Sequence, residues 1–252
     1  MLKELTKGLR AASDFLLPRL CIVCGRRLYL YEDHICLLCS TDMPFTHFWN
    51  MGHNPMADRL NEIIERNPDQ GRECYANAAA LFHFSDESGY REIAYQIKYQ
   101  GNIEAGRHFG SMMGRRIAAS GLWNDADMII PVPLHWTRRW KRGYNQAEVI
   151  ASAAAAASGI PMRTDILYRC RRTRTQTRLD VKEKGVNVAG AFAIRDKAVA
   201  GSVKDGSVKH LILIDDIFTT GSTVGACFAA LRSVFPPSVR ISVATLGFVG
   251  GV

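Results

Sequence analysis

The sequence has no apolar stretch long enough to cross a bilayer, and its first twenty residues lack the uninterrupted apolar core of a signal peptide. Lys3, Glu4, Lys7 and Arg10 interrupt that first segment, whose leucines suit one face of a short helix packed on the body of the protein. Internal repeats and low-complexity tracts are also absent, apart from a run of alanines that favours helix. We therefore expect neither membrane insertion nor secretion.

The composition also lacks the features of a disordered or a disulfide-bonded chain. Apolar residues make up 47% and charged residues 22% of the 252 residues, as in ordinary globular proteins. The seven cysteines are an odd number, and without a secretion signal they indicate a reducing compartment, where clustered thiols bind metal more often than they pair. We expect a cytoplasmic protein.

Positive charge is concentrated in one part of the chain. Lys and Arg total 32 against 24 for Asp and Glu, which gives a net charge of +8. The segment 138–184 contains 12 basic and 4 acidic residues, so it accounts for the whole excess, and the rest of the chain is balanced. A local basic patch of this kind predicts a polyanionic partner, such as phosphate, pyrophosphate or nucleic acid.

The sequence pattern divides the chain into three parts. Residues 1–45 are predicted to form an amino-terminal helix and a small metal-held unit, and residues 46–74 a connector with one short helix near 58–66. In residues 75–252 strands alternate with helices, which predicts an α/β domain with a mostly parallel sheet covered on both faces. The predicted strands are 78–84, 128–132, 211–214 and 242–248, and the predicted helices are 90–99, 106–120, 145–157 and 222–234. Asn145 and Glu148 predict a capping box on the third of these helices.

Two C-x-x-C pairs, separated by eleven residues, are the first motif with a defined chemistry. Four thiolates in a tetrahedral arrangement satisfy Zn²⁺ and leave no open position for a reacting water, so the predicted site is structural. The predicted ligands are Cys21, Cys24, Cys36 and Cys39. The alternatives are an iron–sulfur cluster, a redox C-x-x-C or free buried thiols, and His34, His47 and His53 are near enough in sequence to be substitute ligands.

The segment LILIDDIFTTGST, residues 211–223, is the most informative in the chain. Four apolar residues predict a buried parallel strand that carries Asp215 and Asp216 to the carboxyl edge of the sheet, where open α/β sheets bind ligands. The threonine–glycine turn that follows opens a helix, and its backbone N–H groups and hydroxyls suit a phosphate. The acids would repel that phosphate, so we expect them to bind hydroxyls or a cation beside it.

This segment resembles the phosphoribosyl-pyrophosphate (PRPP) binding motif of type I phosphoribosyltransferases. The resemblance implies that Asp215 and Asp216 hold the ribose hydroxyls at a catalytic centre. It also implies that the loop residues Thr219, Thr220, Gly221, Ser222 and Thr223 bind the 5-phosphate.

Other motifs extend the resemblance over nearly the whole chain, from about residue 20 onward. With the cysteine pairs and the PRPP loop, PVPLH, TRRWKRGYNQ at 137–146 and RTRTQTRL…NVAGAF resemble the ComF family of competence-associated proteins. The resemblance implies a zinc ribbon joined to a phosphoribosyltransferase-like domain of type I fold. One departure is Lys184, where the family pattern leads us to expect arginine; the charge is kept but bidentate phosphate recognition is lost.

The resemblance implies a site for PRPP with Mg²⁺. Arg138 and Arg142, in a basic cluster just after a predicted strand end, suit its pyrophosphate, and Lys98 fits a Lys-Tyr-x-Gly element of the family. No segment predicts an acceptor site. The alternatives therefore stay open: a protein that binds PRPP without turnover, or a phosphoribosyltransferase with an unknown nitrogen acceptor.

The basic loop within 169–178 is the predicted contact for single-stranded DNA and, by the family resemblance, for a role with the DNA-uptake machinery. Phosphate neutralisation dominates non-specific affinity for DNA, and the loop residues Arg171, Arg172 and Arg174 are candidates for it. Trp136 and Trp140 lie near this patch in sequence and suit either base stacking or the core.

Overall fold

The computed structural model describes residues 17–66, 74–85, 88–171, 190–195 and 206–250. The predicted amino-terminal helix and most of the basic loop, including Arg172 and Arg174, lie outside these residues, as does Lys184. Within them, no helix is both long and apolar enough to cross a membrane.

A four-stranded parallel sheet forms the centre of the α/β domain. Its strands are β1 (Ala78–His83), β2 (Met128–Pro131), β5 (His210–Phe218) and β6 (Arg240–Phe248), in the order β1-β6-β5-β2. The other two strands, β3 (Leu167–Arg169) and β4 (Phe192–Ile194), pair as a short antiparallel ribbon. Buried apolar residues run almost without a break along the central strands, which is typical of a sheet covered on both faces.

Seven α-helices are described, together with one 3₁₀ turn at Phe48–Asn50. The helices are α1 (Leu37–Thr41), α2 (Pro55–Glu65), α3 (Arg91–Tyr99), α4 (Ile103–Ala119), α5 (Trp136–Arg142), α6 (Gln146–Ser158) and α7 (Ser222–Arg232).

The helices cover the two faces of the sheet unequally. On one face α2 and α7 bury Leu60 and Phe228 against Leu211 and Leu213 of β5. On the other face α3, α4 and α6 pack against the alternate residues of the strands, such as Ile212. Because neighbouring residues of a strand point to opposite faces, β5 contributes to both cores.

The close contact of α4 with α6 depends on a stripe of glycines. Gly106, Gly110 and Gly114 lie four residues apart on α4, and a Cβ built at Gly110 would lie 2.5 Å from the carbonyl oxygen of Ile150. Helices approach this closely only where side chains are absent, so the stripe lets α6 pack directly on α4.

The cysteine unit packs on the same core as α3 and α4. Cys21, Ile22 and Cys36 are buried in one cluster with Phe82 and Ile93. The hydroxyl of Tyr90 also donates to the carbonyl of Cys39 at 2.8 Å, so both C-x-x-C pairs are anchored to the domain.

The structure confirms the predicted class, an α/β domain with a parallel sheet and an amino-terminal four-cysteine unit. Two local predictions were wrong: strand β5 runs on through Phe218 instead of ending at Ile214, and the capping box is incomplete. Asn145 does accept from the N–H of Ala147, but Glu148 pairs with Arg139 at 2.9 Å. The basic cluster does lie after a strand and before a helix as predicted, but it forms a helix of its own, α5, which the sequence did not predict.

Candidate functional site

Two consecutive acids near the end of β5 define the candidate site. Asp215 and Asp216 belong to the strand and are 7% and 4% exposed. Each accepts one backbone hydrogen bond, Asp215 from the N–H of Asp216 at 2.9 Å and Asp216 from the N–H of Ile217 at 3.0 Å. As neighbours on a strand they project from opposite faces of the sheet, so each carboxylate has its own surroundings.

Asp216 faces α3, where Lys98 supplies a cation. The Lys98 Nζ lies 3.2 Å from Oδ2 of Asp216. The charge of Asp216 raises the pKa of Lys98 against the opposing effect of burial, and the charge of Asp215 adds to it. The structure therefore places the predicted Lys98 at the acid pair.

Asp215 lies within electrostatic range of Cys227 of α7 and of Arg169. Burial raises its pKa to about 8, the charge of Asp216 adds to the rise, and Lys98 opposes it. Asp215 also raises the pKa of the buried thiol of Cys227, after the larger effect of burial. A carboxyl group whose pKa lies this far above its ordinary value is typical of functional sites.

Arg169, at the end of β3, is a second cation near Asp215 that the sequence did not single out. Burial lowers its pKa, as does the charge of Arg138, while Cys227 and Asp215 act in the opposite direction. The Arg169 guanidinium therefore lies close enough to Arg138 and to Asp215 for their charges to interact. Only the basic run in the sequence signalled Arg169, and that run did not distinguish it from its neighbours.

The loop after β5 has the geometry of an anion site. Gly221 is the N-cap of α7 with φ of 74°, and a Cβ there would lie 2.7 Å from the ring of Phe218, so glycine is required. No side chain caps this helix start. The hydroxyls of Thr220 and Ser222 lie 2.9 Å apart, while Thr219 is exposed and Thr223 half-buried. The first N–H groups of α7 and these hydroxyls can therefore receive a phosphate.

Arg142 lies at the carboxyl end of α5, on the side of α3. Its guanidinium donates to the side-chain oxygen of Gln146 and lies 5.4 Å from the ring centre of Tyr99. A pocket of about 390 Å³ opens along α3, lined by Arg91, Tyr95, Lys98 and Ile217, the residue that follows the acid pair.

A larger groove of about 670 Å³ runs along α6 and is lined mainly by small residues such as Ser152, Ala153 and Ala156. Neither acid of β5 lines either pocket. We place the candidate site at the end of β5, beside the smaller pocket, because the Asp216 carboxylate adjoins Lys98, which lines that pocket, and the phosphate-type loop follows the acids in the chain.

The four cysteines form a second candidate site, for a metal. Their sulfurs all lie within 4.8 Å of one another, and those of Cys24 and Cys36 are 3.7 Å apart. In a tetrahedron with Zn–S bonds of about 2.3 Å the sulfurs lie about 3.8 Å apart, so the cluster fits structural zinc. His34, His47 and His53 do not belong to the cluster.

Within the cluster, the hydrogen bonds favour the thiolate of Cys36, whereas the pKa values of Cys24 and Cys39 are raised. Burial raises the pKa of Cys36, but hydrogen bonds from the Cys39 backbone and the neighbouring thiols outweigh it and lower that pKa to about 7. The backbone N–H of Cys36 in turn donates to the sulfur of Cys21 at 3.3 Å.

Glu32 fixes the loop between the cysteine pairs and was missed in the sequence. It is buried and accepts hydrogen bonds of 2.7 Å from the N–H groups of Tyr29 and Leu37. These bonds lower its pKa, with a smaller effect from Arg26. Glu32 acts on the fold of the loop and is not part of the sulfur cluster.

The predicted DNA contact is described only in part. Arg171 is exposed and close to Gly190, which follows the undescribed part of the loop. Arg172 and Arg174 lie outside the described residues, so their contact with DNA stays a prediction.

The chain is similar over most of its length to curated proteins named for competence and for DNA utilization. It is 33% identical over 227 residues to Competence protein F of Haemophilus influenzae, covering 88% of this chain and 94% of that protein. It is 33% identical over 229 residues to the DNA utilization protein YhgH of Escherichia coli O157:H7, covering 82% of this chain and 88% of that protein.

Two further comparisons add little. No protein-family model matches the chain. Among solved structures, the glutamine PRPP amidotransferase of B. subtilis, complexed with ADP and GMP, matches 61% of this chain and 30% of its own, with 17% identity and a TM-score of 0.38. A likeness this low has no weight for function.

Proposed function

The chain belongs to the family of Competence protein F, and we propose that it is a ComF-like competence protein that binds PRPP through its α/β domain and acts on or with single-stranded DNA during natural transformation. One observation carries the PRPP part of the proposal. Two buried acids, of which Asp216 pairs with Lys98, stand at the end of β5 just before a glycine turn that opens α7.

The ribose 5-phosphate end of PRPP fits the carboxyl end of β5. Asp215 and Asp216 would accept hydrogen bonds from the ribose hydroxyls, and their position makes them the candidate catalytic residues. The loop Thr219–Thr223 would bind the 5-phosphate with its backbone N–H groups and hydroxyls, supported by the positive end of the α7 dipole.

The pyrophosphate end would face the cations around the acids. Arg138, Arg142 and Lys98 are the groups we assign to it, and the position of Arg169 beside Asp215 adds a fourth. Among the described residues the cysteine cluster is the only group of three or more metal-type ligands. Mg²⁺ is usually held by substrate phosphates with one or two carboxylates, so it would arrive with the pyrophosphate and neutralise its charge.

Zinc in the four-cysteine cluster would have a structural role. The four thiolates would fill its coordination sphere, and the burial of Cys21 and Cys36 against the α/β core means that the metal would hold this unit on the domain. Thiolates and zinc also fit the reducing cytoplasm, where we propose that the protein works.

The DNA part of the proposal is supported by the names of the relatives and by the concentrated positive charge. Arg171, Arg172 and Arg174 would neutralise phosphates of the strand. This predicts an affinity that falls steeply with salt concentration and is weakened when the three arginines are replaced by alanine. An affinity indifferent to both would contradict it.

A phosphoribosyl transfer activity is the second candidate, and the pocket beside Lys98 favours it because it leaves room for an acceptor. In that reaction the bond from ribose C1 to the pyrophosphate oxygen breaks, a bond from C1 to the acceptor nitrogen forms, and the nitrogen loses its proton. Absence of PRPP consumption with nucleobases and small amines, while PRPP still binds, would exclude these acceptors.

Calorimetric titration of zinc-loaded protein with PRPP and Mg²⁺ tests the central proposal. We expect binding by the wild type, loss of binding in Asp215→Asn/Asp216→Asn, and unchanged binding in Asp42→Asn, whose carboxylate is exposed on the cysteine unit. Absence of binding by the folded wild type would overturn the PRPP assignment.

A further inference from the structure

Four aromatic side chains are exposed on two neighbouring helices. Tyr95 and Tyr99 of α3 are 50% and 60% exposed, and Trp136 and Trp140 of α5 are 72% and 84% exposed. Tryptophan is rarely left in solvent to this extent, and two such residues on one short helix call for a partner. We call these four side chains the aromatic surface.

The two halves of the aromatic surface are joined. The rings of Tyr95 and Tyr99 lie 5.0 Å apart, and the guanidinium of Arg142 lies 5.4 Å from the ring centre of Tyr99. The hydroxyl of Tyr144, just beyond α5, donates to the carbonyl of Ile97 in α3. The carboxyl ends of α3 and α5 are therefore held side by side.

Helix α5 presents its tryptophans from a fixed position. None of its residues is buried, so it does not form by covering the core. It is instead held at both ends, by His135, whose ring accepts from the N–H of Thr137, and by Gly143, which ends the helix with φ of 84°. The ion pair of Arg139 with Glu148 ties it to α6.

The spacing and charge of α5 suit a strand of nucleotides. Trp136 and Trp140 are four residues apart and so lie on the same side of the helix. All four ionisable residues of the helix are cations, Arg138, Arg139, Lys141 and Arg142. Aromatic faces beside cations form the platform on which proteins stack bases while they neutralise the backbone.

We propose that the aromatic surface is a stacking site for single-stranded DNA, with bases on Trp136, Trp140, Tyr95 and Tyr99 and a phosphate on Lys141. The proposal rests on the proposed function and deepens it, because it assigns base contacts to named aromatic side chains, in addition to the phosphate contacts proposed for the loop arginines. The exposed rings select a single strand because the base faces of a duplex are already covered by their neighbours.

Fluorescence anisotropy of a labelled oligothymidylate of about 16 nucleotides, the upper end of the known site sizes, tests the proposal on the full-length zinc-loaded chain. We expect Trp136→Ala/Trp140→Ala to weaken binding at least about fivefold. The conservative pair Trp136→Phe/Trp140→Phe retains aromatic faces and should stay within about twofold of the wild type. Tyr75→Ala is the matched control, since it removes an exposed ring just before β1, at the opposite edge of the sheet.

The outcomes separate this proposal from the proposed function. Wild-type affinity in the alanine pair, or equal affinity of the wild type for duplex DNA, would overturn the stacking site while leaving the loop arginines as the DNA contact. A wild type that binds no DNA would overturn both. Tryptophan-dependent binding to vesicles of anionic lipid, without binding to the oligonucleotide, would assign the surface to a membrane and also overturn the proposal.

Discussion

The ammonium of Lys98 lies 3.2 Å from the Asp216 carboxylate, so the acid that would receive a ribose hydroxyl already has an internal partner. A ligand must therefore share or displace this contact. Removing the cation by Lys98→Met would leave a buried carboxylate with less compensation for its lost hydration. We expect the free energy of unfolding to fall by about 1–3 kcal/mol, less than for a fully buried pair because Lys98 is 31% exposed.

Urea denaturation measures this loss, and two variants control it. Arg107→Met removes the cation of an exposed pair with Glu104 and should change stability by less than about 0.5 kcal/mol. Adding Asp216→Asn to Lys98→Met should restore most of the stability. If Lys98→Met were as stable as the wild type, the pair would not contribute to the fold.

The sequence predicted those parts of the site that are encoded in one continuous segment. The strand, the acids and the glycine turn of residues 211–223 form a local pattern, and the structure reproduces it as β5, a turn and α7. The spacing of the cysteine pairs is equally local, and their sulfurs do converge.

What the sequence did not show depends on contacts between distant segments or on helices without a buried face. The family pattern suggested Lys98, but nothing around it indicated that it faces Asp216. Helix α5 escaped prediction because hydrophobic periodicity requires a buried stripe, and α5 has none. Strands β3 and β4 have three residues each, too few for a recognisable alternation. The predicted division at residues 45 and 74 stays a prediction.

Zinc removal should loosen the amino-terminal unit. We expect one zinc per chain by elemental analysis of the purified protein, and no zinc in Cys36→Ser. The melting temperature of that variant should fall by at least about 4 °C, because the metal holds buried residues of the unit on the core. Cys170→Ser is the matched control, since this exposed thiol lies outside the cluster. Full zinc content in Cys36→Ser, or iron in its place, would contradict the assignment.

A buried histidine at the amino-terminal end of β5, away from the acid pair, should make stability depend on pH. His210 bonds to Asp125 through Nδ1 and to Ser242 through Nε2, both at 2.8 Å. Burial lowers its pKa against the opposing effect of Asp125, and Arg240 lowers it further. The unfolded chain therefore takes up a proton before the folded chain does, and stability should fall as the pH drops below about 6.5.

Denaturation at a series of pH values measures this slope. His210→Ala should cost about 2 kcal/mol near neutral pH, because it leaves a cavity and unpaired polar groups, and should reduce the slope. An unchanged slope would show that other groups cause it.

Although Ser242, His210 and Asp125 are arranged like a hydrolase triad, Ser242 is only 1% exposed, so we expect no labelling by fluorophosphonates.

The raised pKa of Asp215 predicts opposite effects of one substitution on stability and on binding. In the folded chain the Asp215 carboxyl group has a pKa of about 8 and keeps its proton below that pH. In the unfolded chain the same group releases its proton near pH 4. The unfolded state thus binds fewer protons between these values, and this group makes stability fall as the pH rises through that window.

Asp215→Asn removes the charge and nearly preserves the shape, so the variant should be more stable than the wild type by about 1 kcal/mol or more at pH 8, with a smaller difference at pH 5. It should also bind PRPP more weakly, because an acceptor for the ribose hydroxyls is lost. Thermal unfolding at the two pH values, beside calorimetric titration, measures both effects. Asp33→Asn, at a carboxylate of the cysteine unit, should change neither. An Asp215→Asn variant less stable than the wild type at pH 8 would show that the charged form of Asp215 supports the fold. The carboxylate would then be a structural group, and not one that is kept for a ligand although it lowers stability.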